Sequence, residues 1–340
     1  MKRIQLGNTV FEGENNAYVL EGDTVALVDT GIAHPEVEQD LRDGLAEFGL
    51  SFADVDEVFL THWHHDHSDL AATIQAEGGA TVRAHEADAP LISGEERSVH
   101  EALERREELF DEWGIPAAKR EELDEYLIDS PVTKGEPAEV VPFADGDVFR
   151  AGDRDLEVVH LPGHAKGLCG FAFERPRDDD RAGDGREEVF SGDAVLPKYT
   201  PNVGGADVRV ERPLATYAES LVRFAERDFA RAWPGHRQPI ADPSARAATI
   251  LEHHRERTAN VLAVLAEHGP ADAWTVSAQL FGELHAIHIM HGPGEAYAHL
   301  DHLTDAGAVE KDGAEYRLVD ADVDVASLFP SVEVAPEREA

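Results

Sequence analysis

The chain has 340 residues, 42% of them apolar, and sets 69 acidic against 30 basic side chains for a net charge of −39, so it can bury more than one core. Its single cysteine, Cys169, excludes an internal disulfide and a cysteine-rich metal site. No run approaches the ~20 apolar residues of a membrane span, and the opening MKRIQLGNTVFEGENN lacks the apolar centre of a signal peptide; a two-domain cytoplasmic protein with no membrane partner is expected.

Lysine occurs only at positions 2, 119, 134, 166, 198 and 311. So dense an acidic surface repels itself at low ionic strength and is relieved by molar salt, which points to a halophilic protein. A disordered acidic chain is excluded, because the acids are spread through segments of clear apolar periodicity.

In chain order, NNAYVLEGDTVALVDTG reads as two short strands joined at Glu21-Gly22-Asp23. A helix is expected over Pro35 to Phe48, then a strand over Val58 to Leu60, then a helix from about Asp69 to Glu77. ATVRAHE is the next strand. Val99, Leu103, Phe110 and Trp113 recur at helical spacing, so residues 95–127 form a helical insertion with no chemistry of its own. Strands follow in DGDVFRAGDRDLEVVHLPGH, GFAFE and EVFSGD, with a polar loop from Arg175 to Glu188. Leu214, Tyr217, Leu221 and Phe224 share one face of a helix begun at Pro213, and the chain returns through FARAWPGH.

After Pro243 the pattern changes to a long helix, SARAATILEHHRERTANVLAVLAEHG, and helix-sized pieces around Ser277 to Leu284 and Gly294 to Ala306. A hairpin, AVEKDGAEYRLV, is expected to turn at Asp312-Gly313. Three helices and a hairpin outline a winged helix over 244–320, with an acidic, mobile tail over 321–340. The helix that would read DNA, GPGEAYAHLDHLTDAG, has no Lys or Arg and carries Glu295, Asp301 and Asp305. Phosphate contacts need cations, so nucleic acid is not an expected partner. Packing against the catalytic domain, with Leu300, Leu303 and Val309 as core, or a homodimer contact, suits this unit better.

Chemistry concentrates in THWHHDHSDL, where His62-x-His64-x-Asp66-His67 follows an apolar strand. A loop leaving a strand end can turn these side chains toward two neighbouring points. HLPGHAKG adds His164, FSGDAV adds Asp193 and WPGH adds His236, each after an apolar run and beside a glycine suited to a sharp turn. Imidazole and carboxylate donors suit zinc, manganese or iron.

The order HxHxDH, PGH, GD, PGH resembles the metallo-β-lactamase fold superfamily, in its hydrolase branch near glyoxalase II, over Asn16 to about Pro243. The resemblance implies a four-layer αββα sandwich over 1–243, of α+β class, followed by the small helical domain. It implies His62, His64 and His164 at one divalent metal and Asp66, His67 and His236 at a second, zinc before manganese or iron, with Asp193 bridging. Asp29 of VDTG is implied as support beneath the metal loop. Asp66 and Asp193 would then belong to the catalytic apparatus. A pair of metals ~3.5–4 Å apart can share a hydroxide that attacks a small-molecule thioester, ester or lactone.

Lys198 and Tyr199, just after Asp193, are candidate substrate contacts. Cys169 reads as a small buried strand residue. His285, His288 and His291 stand three apart and drift around a helix, so they read as surface or packing residues, as do the other histidines outside the metal set. The rival activity is a metal-dependent ribonuclease or phosphodiesterase of the same fold, disfavoured by the acidic surface. A flavodiiron-type redox protein is disfavoured because the C-terminal hundred residues lack an α/β flavin domain.

Overall fold

Alternate residues of the inner strands enter different cores, because neighbouring side chains on a strand point to opposite faces. The structure, a computed structural model, describes residues 1–7, 13–129, 135–174 and 185–332. Most of the loop expected from Arg175 to Glu188 and the end of the expected tail, residues 333–340, lie outside them.

Strand β1 (Lys2–Gln5) pairs antiparallel with β2 (Asn16–Leu20), and β2 pairs antiparallel with β3 (Ala26–Val28). Helix α1 (Pro35–Ala46) leads to β4 (Glu57–Phe59); the short α2 (His65–Ser68) and α3 (Ala71–Gly78) lead to β5 (Thr81–His85). Then α4 (Ala89–Ile92), α5 (Glu96–Glu112) and α6 (Ala117–Asp129) precede β6 (Val140–Phe143). These six strands form one sheet in chain order, parallel from β3 onward.

The second sheet takes β7 (Val148–Ala151), β8 (Arg154–His160), β9 (Cys169–Phe173), β10 (Glu188–Gly192) and, after α7 (Pro213–Glu226), β11 (Arg231–Pro234). It is antiparallel until the β10–β11 pair, so β8, β10 and β11 point the same way. Helices α8 (Pro243–His268), α9 (Ala273–Phe281) and α10 (His288–Asp305) follow, then the hairpin of β12 (Val309–Asp312) and β13 (Glu315–Leu318).

Ala17, Val19, Leu27, Val58 and Val82 face Leu41 and Leu45 of α1 and Ile74 of α3. From the same sheet Tyr18, Leu20, Val28 and Phe59 face Phe171, Phe173 and Phe190 of the other. Val159, Ala172 and Val189 on the far side of that second sheet meet Leu214, Tyr217, Leu221 and Phe224 of α7. The layers therefore run helix, sheet, sheet, helix. Each fully buried phenylalanine at the central seam contributes on the order of 1.5–3 kcal/mol relative to exposure.

Several expectations are corrected. The strands β1 and β6 were not expected; β6 contains Pro142 and is tolerated because it is an edge strand, where one missing donor faces no neighbour. The hairpin turns at Gly313-Ala314, since Asp312 pairs with Glu315, and Gly313 takes φ +62° at the first turn position. Helix α10 begins at His288 and runs through Pro293, earlier than Gly294. Gly294 there lets the helix pack directly on the backbone of Gly204 and Gly205. Val99 and Leu103 are exposed while Phe110 and Trp113 are buried, so only the second half of α5 meets a core. That core is shared with α8, α9 and α10; the insertion packs on the C-terminal helices, with Trp274 N donating to Trp113 O at 2.8 Å. Leu300, Leu303 and Val309 are buried in it as expected. The stretch expected to be a mobile tail is anchored at Phe329, which is buried in the core beside α7 and α8. No helix among the described residues is long and apolar enough to cross a membrane.

Candidate metal centre

Five strand ends converge on one edge of the sandwich. Asp29 follows β3, His62 and His64 follow β4, His164 follows β8, Asp193 follows β10 and His236 follows β11, while Asp66 and His67 sit in α2. Backbone bonds hold the two sheets together there, Cys169 N to Thr61 O at 2.8 Å and Asn16 N to Gly235 O at 2.8 Å, and within the second sheet Gly235 N donates to Gly192 O at 2.9 Å.

All seven expected ligand residues come together. Ligand atoms of His62, His64 and His164, of Asp66, His67 and His236, and of His62, His67 and Asp193 form groups whose members lie within 4.8 Å of one another. Asp193 Oδ2 stands 3.7 Å from His164 Nε2, 3.6 Å from His67 Nε2 and 3.2 Å from His236 Nε2, between the two trios. Asp66 Oδ2 is 3.7 Å from His67 Nε2 and 3.5 Å from His236 Nε2.

The glycines serve this convergence. A Cβ on Gly235 would stand 2.4 Å from Asp193 Oδ1 and 2.6 Å from His67 Cε1, so its role is close approach rather than the sharp turn expected. Gly192, by contrast, does take a left-handed φ of +47°.

Outer hydrogen bonds set the direction of each ring. His67 Nδ1 donates to Asp29 Oδ2 at 2.9 Å, His164 Nδ1 to Asn202 O at 2.9 Å and His236 Nδ1 to Gly13 O at 2.9 Å. Each leaves Nε2 turned toward the cluster. Asp29 also accepts from Thr61 N and Thr61 Oγ1, both at 2.8 Å, so Thr61 Oγ1 is left to accept from His62 Nδ1 at 3.0 Å. His64 Nε2 donates to Ala206 O at 3.1 Å. The consequence is that His62 Nε2 and His64 Nδ1, 2.9 Å apart, are both acceptors. Two lone pairs at that distance repel unless a cation lies against them.

Burial and charge divide the rings into two sets. Burial, then the neighbouring imidazoles, hold His62 well below its ordinary value; burial and His164 bring His64 down to about 3, and burial lowers His164. These three are neutral donors. For His67 burial is outweighed by Asp193, Asp66 and Asp29, which push it well above its ordinary value, and Asp193 likewise brings His236 up to about 8 despite burial. Burial would raise the Asp193 carboxyl, but His236 and His67 hold it well below the usual range. Among the described residues, His67 Nε2, His236 Nε2 and Asp193 Oδ1 are buried and find no hydrogen-bond partner, which costs on the order of 1–3 kcal/mol each in a site without cations. The donor set fits two divalent cations.

The sequence reading missed the clamp beneath the centre. Asp88 accepts from Trp63 N at 3.1 Å and Gly167 N at 3.0 Å, Asp207 from Trp63 Nε1 at 3.1 Å and Lys166 N at 2.8 Å, and Arg209 pairs with both carboxylates. This ties the loop of His62 to the loop of His164. No local signal marks Asp88 or Asp207 among 69 acidic residues. Of the histidines read as surface or packing residues, His254 and His299 are buried and grouped with Glu295, and His291 is half-buried. Arg257 at 3.3 Å already answers the Glu295 charge. Cys169 is fully buried at the start of β9.

Comparison with known proteins agrees with this geometry. The chain is similar to the probable metallo-hydrolase YqjP of Bacillus subtilis (strain 168), 27% identical over 298 residues, 86% of this chain and 88% of that one. It is similar to the atrochrysone carboxyl ACP thioesterase of Emericella nidulans, 24% identical over 260 residues, 76% of this chain and 63% of that one. A crystal structure of a metallo-beta-lactamase family protein from Thermus thermophilus aligns with a TM-score of 0.77 and 30% identity, covering 94% of this chain and 98% of that one. The family model of the metallo-beta-lactamase superfamily matches residues 10–236, a span that contains every residue of the centre, and the chain belongs to that superfamily.

Proposed function

We propose that the protein is a dinuclear metal hydrolase that cleaves a small-molecule thioester, ester or lactone in the manner of glyoxalase II. The facing lone pairs of His62 and His64, with Asp193 poised between two trios, carry the reading. His62, His64 and His164 would hold one cation and Asp66, His67 and His236 the other, with Asp193 placed between the two trios. Divalent ions there, zinc first, supply a water of lowered pKa and a Lewis acid for the carbonyl oxygen.

The chain's own residues orient and exclude. Asp29, Asn202 and Gly13 fix the Nδ1 protons of the rings, and the Asp88–Asp207–Arg209 clamp ties the two loops together. Lys198 and Tyr199 contact the substrate. The thioesterase relatives, which match three quarters of this chain, support a thioester among the candidate carbonyls. The C-terminal helices and hairpin, winged-helix-like in order, buttress the centre from α10 rather than contact nucleic acid.

A hydrolysis screen over thioesters, lactones, phosphodiesters and single-stranded RNA, in molar KCl with zinc, manganese or iron supplied, tests this. Turnover of a thioester or lactone that Asp193→Ala removes is the expected result. Cleavage of RNA alone contradicts it.

A further inference from the structure

Four of the 30 basic side chains, Lys198, Arg237, Arg246 and Arg257, line a single cavity of about 650 Å³ together with His253 and His288, and among the described residues no carboxylate lines it. In a chain of net charge −39 this is a reversal of the surrounding field. Arg237 has Glu14 at 3.5 Å and Arg257 has Glu295 at 3.3 Å. Arg246 instead donates to the backbone carbonyls of Leu196 at 2.6 Å and Tyr199 at 2.8 Å, and Lys198 meets the Tyr199 ring at 5.1 Å, with Arg237 over the same ring at 5.0 Å. Among the described residues, no carboxylate pairs with Lys198 or Arg246.

Elements that carry residues of the metal centre also line the cavity. Arg237 directly follows His236 and Lys198 lies on the loop leaving Asp193, while Arg257 pairs at 3.3 Å with Glu295, whose carboxylate accepts from Asn202 Nδ2 at 3.0 Å, and Asn202 O in turn accepts from His164 Nδ1 at 2.9 Å. A site so placed can receive a group released from a carbonyl at the centre. Its volume lies within the ~300–1,000 Å³ of small-molecule sites, far more than one carboxylate needs. Guanidinium forks match phosphate oxygens in pairs, and such contact hydrogen bonds outlast the screening of molar salt. Elsewhere the acidic surface repels a polyanion.

We propose that this cavity seats the phosphorylated leaving thiol of the substrate, a pantetheine thioester carrying a nucleoside diphosphate, as in coenzyme A. The proposal rests on the thioester reading above. Hydrolysis forms the acyl C–O bond from water, breaks the C–S bond and places the proton on the thiol sulfur. The phosphates are held and unchanged.

One acyl group is presented on coenzyme A, on 4′-phosphopantetheine and on uncharged pantetheine, and kcat/KM is compared for the wild type and Lys198→Glu, with metal content measured in both. Binding of desulpho-coenzyme A is followed by calorimetry. The coenzyme A ester is expected to be preferred over the pantetheine ester by about tenfold or more, and Lys198→Glu to erase most of that preference and weaken desulpho-coenzyme A about tenfold. Equal kcat/KM for charged and uncharged esters, or a preference untouched by Lys198→Glu, overturns the proposal. If no thioester is hydrolysed, the reaction reading fails and calorimetry decides the cavity alone: binding abolished by Lys198→Glu retains a phosphate site, and absence of binding removes it. An oligoribonucleotide bound in place of desulpho-coenzyme A also overturns it.

Discussion

The side-chain amide of Asn202 donates to Glu295 Oε2 at 3.0 Å, so a loop that reaches the metal centre is fastened to the middle of α10. The backbone carbonyl of the same Asn202 accepts from His164 Nδ1 at 2.9 Å. Helix α10 therefore takes part in setting the orientation of one metal-facing ring. It can do so because Gly294 lies against Gly204 and Gly205 with no side chain between them.

A Cβ on Gly294 would stand 2.2 Å from Gly205 Cα and 2.4 Å from Gly205 N. Gly294→Ala gains helix propensity of about 0.5–1 kcal/mol, but overpacking against backbone costs about 1–3 kcal/mol, with no rotamer to relieve it. Overpacking wins. A denaturant midpoint below that of the wild type, with weaker metal binding from the displaced Asn202, is the expected result; a raised midpoint would show that the helix does not press on the loop.

Asp29 holds φ +59°, a conformation that asparagine shares more readily than alanine. Asp29→Asn should therefore fold while losing the charge that accepts from His67 Nδ1 and both donors of Thr61. Loss of such outer support lowers metal affinity or activity by about 10- to 100-fold. Metal titration of the stripped protein measures it, and unchanged affinity would remove Asp29 from the centre.

Much of this centre was legible because most of its converging histidines and aspartates follow strands whose apolar runs are short and whose ends carry glycine or histidine in recognisable order. His62, His64, Asp66, His67, His164, Asp193 and His236 were all placed from fragments of a few residues. Asp88, Asp207, Arg209 and Asn202 were not, since their roles depend on partners many residues away, as between Asp88 and Arg209 at 2.7 Å. Strand β1 was missed although Ile4 and Leu6 alternate inward with polar neighbours, a period-two pattern too short to stand out. The destination of the insertion was invisible for the same reason as the clamp: Phe110 and Trp113 announce a helix face, but not that α8 to α10 will cover it.

Removing metal should expose the repulsion between His62 Nε2 and His64 Nδ1 and leave Asp193 Oδ1 and two ring nitrogens unanswered. Ions that bind only the folded chain stabilise it by about 4 kcal/mol at a thousandfold excess over Kd. Tm is therefore expected to fall on chelation and to recover when zinc or manganese is returned, with two ions per chain by elemental analysis. A Tm indifferent to chelator would contradict the assignment of these residues as ligands.

Salt has two opposing effects on stability. It weakens the surface ion pairs, such as Arg97 with Glu101 and Arg105 with Glu108, but exposed pairs contribute only about 0–1 kcal/mol each. It also screens the repulsion among acids, and with 69 acidic against 30 basic residues even complete pairing leaves a charge of −39 unmatched. The screening length falls from about 10 Å at 0.1 M to about 3 Å at 1 M, so repulsion between neighbouring carboxylates fades across that range while contact pairs are less affected. Relief of repulsion outweighs the loss of pairing, and Tm should rise with KCl between those concentrations. Scanning calorimetry of the metal-loaded protein checks this; a Tm that falls with KCl would mean that the ion pairs, not the excess acids, govern stability.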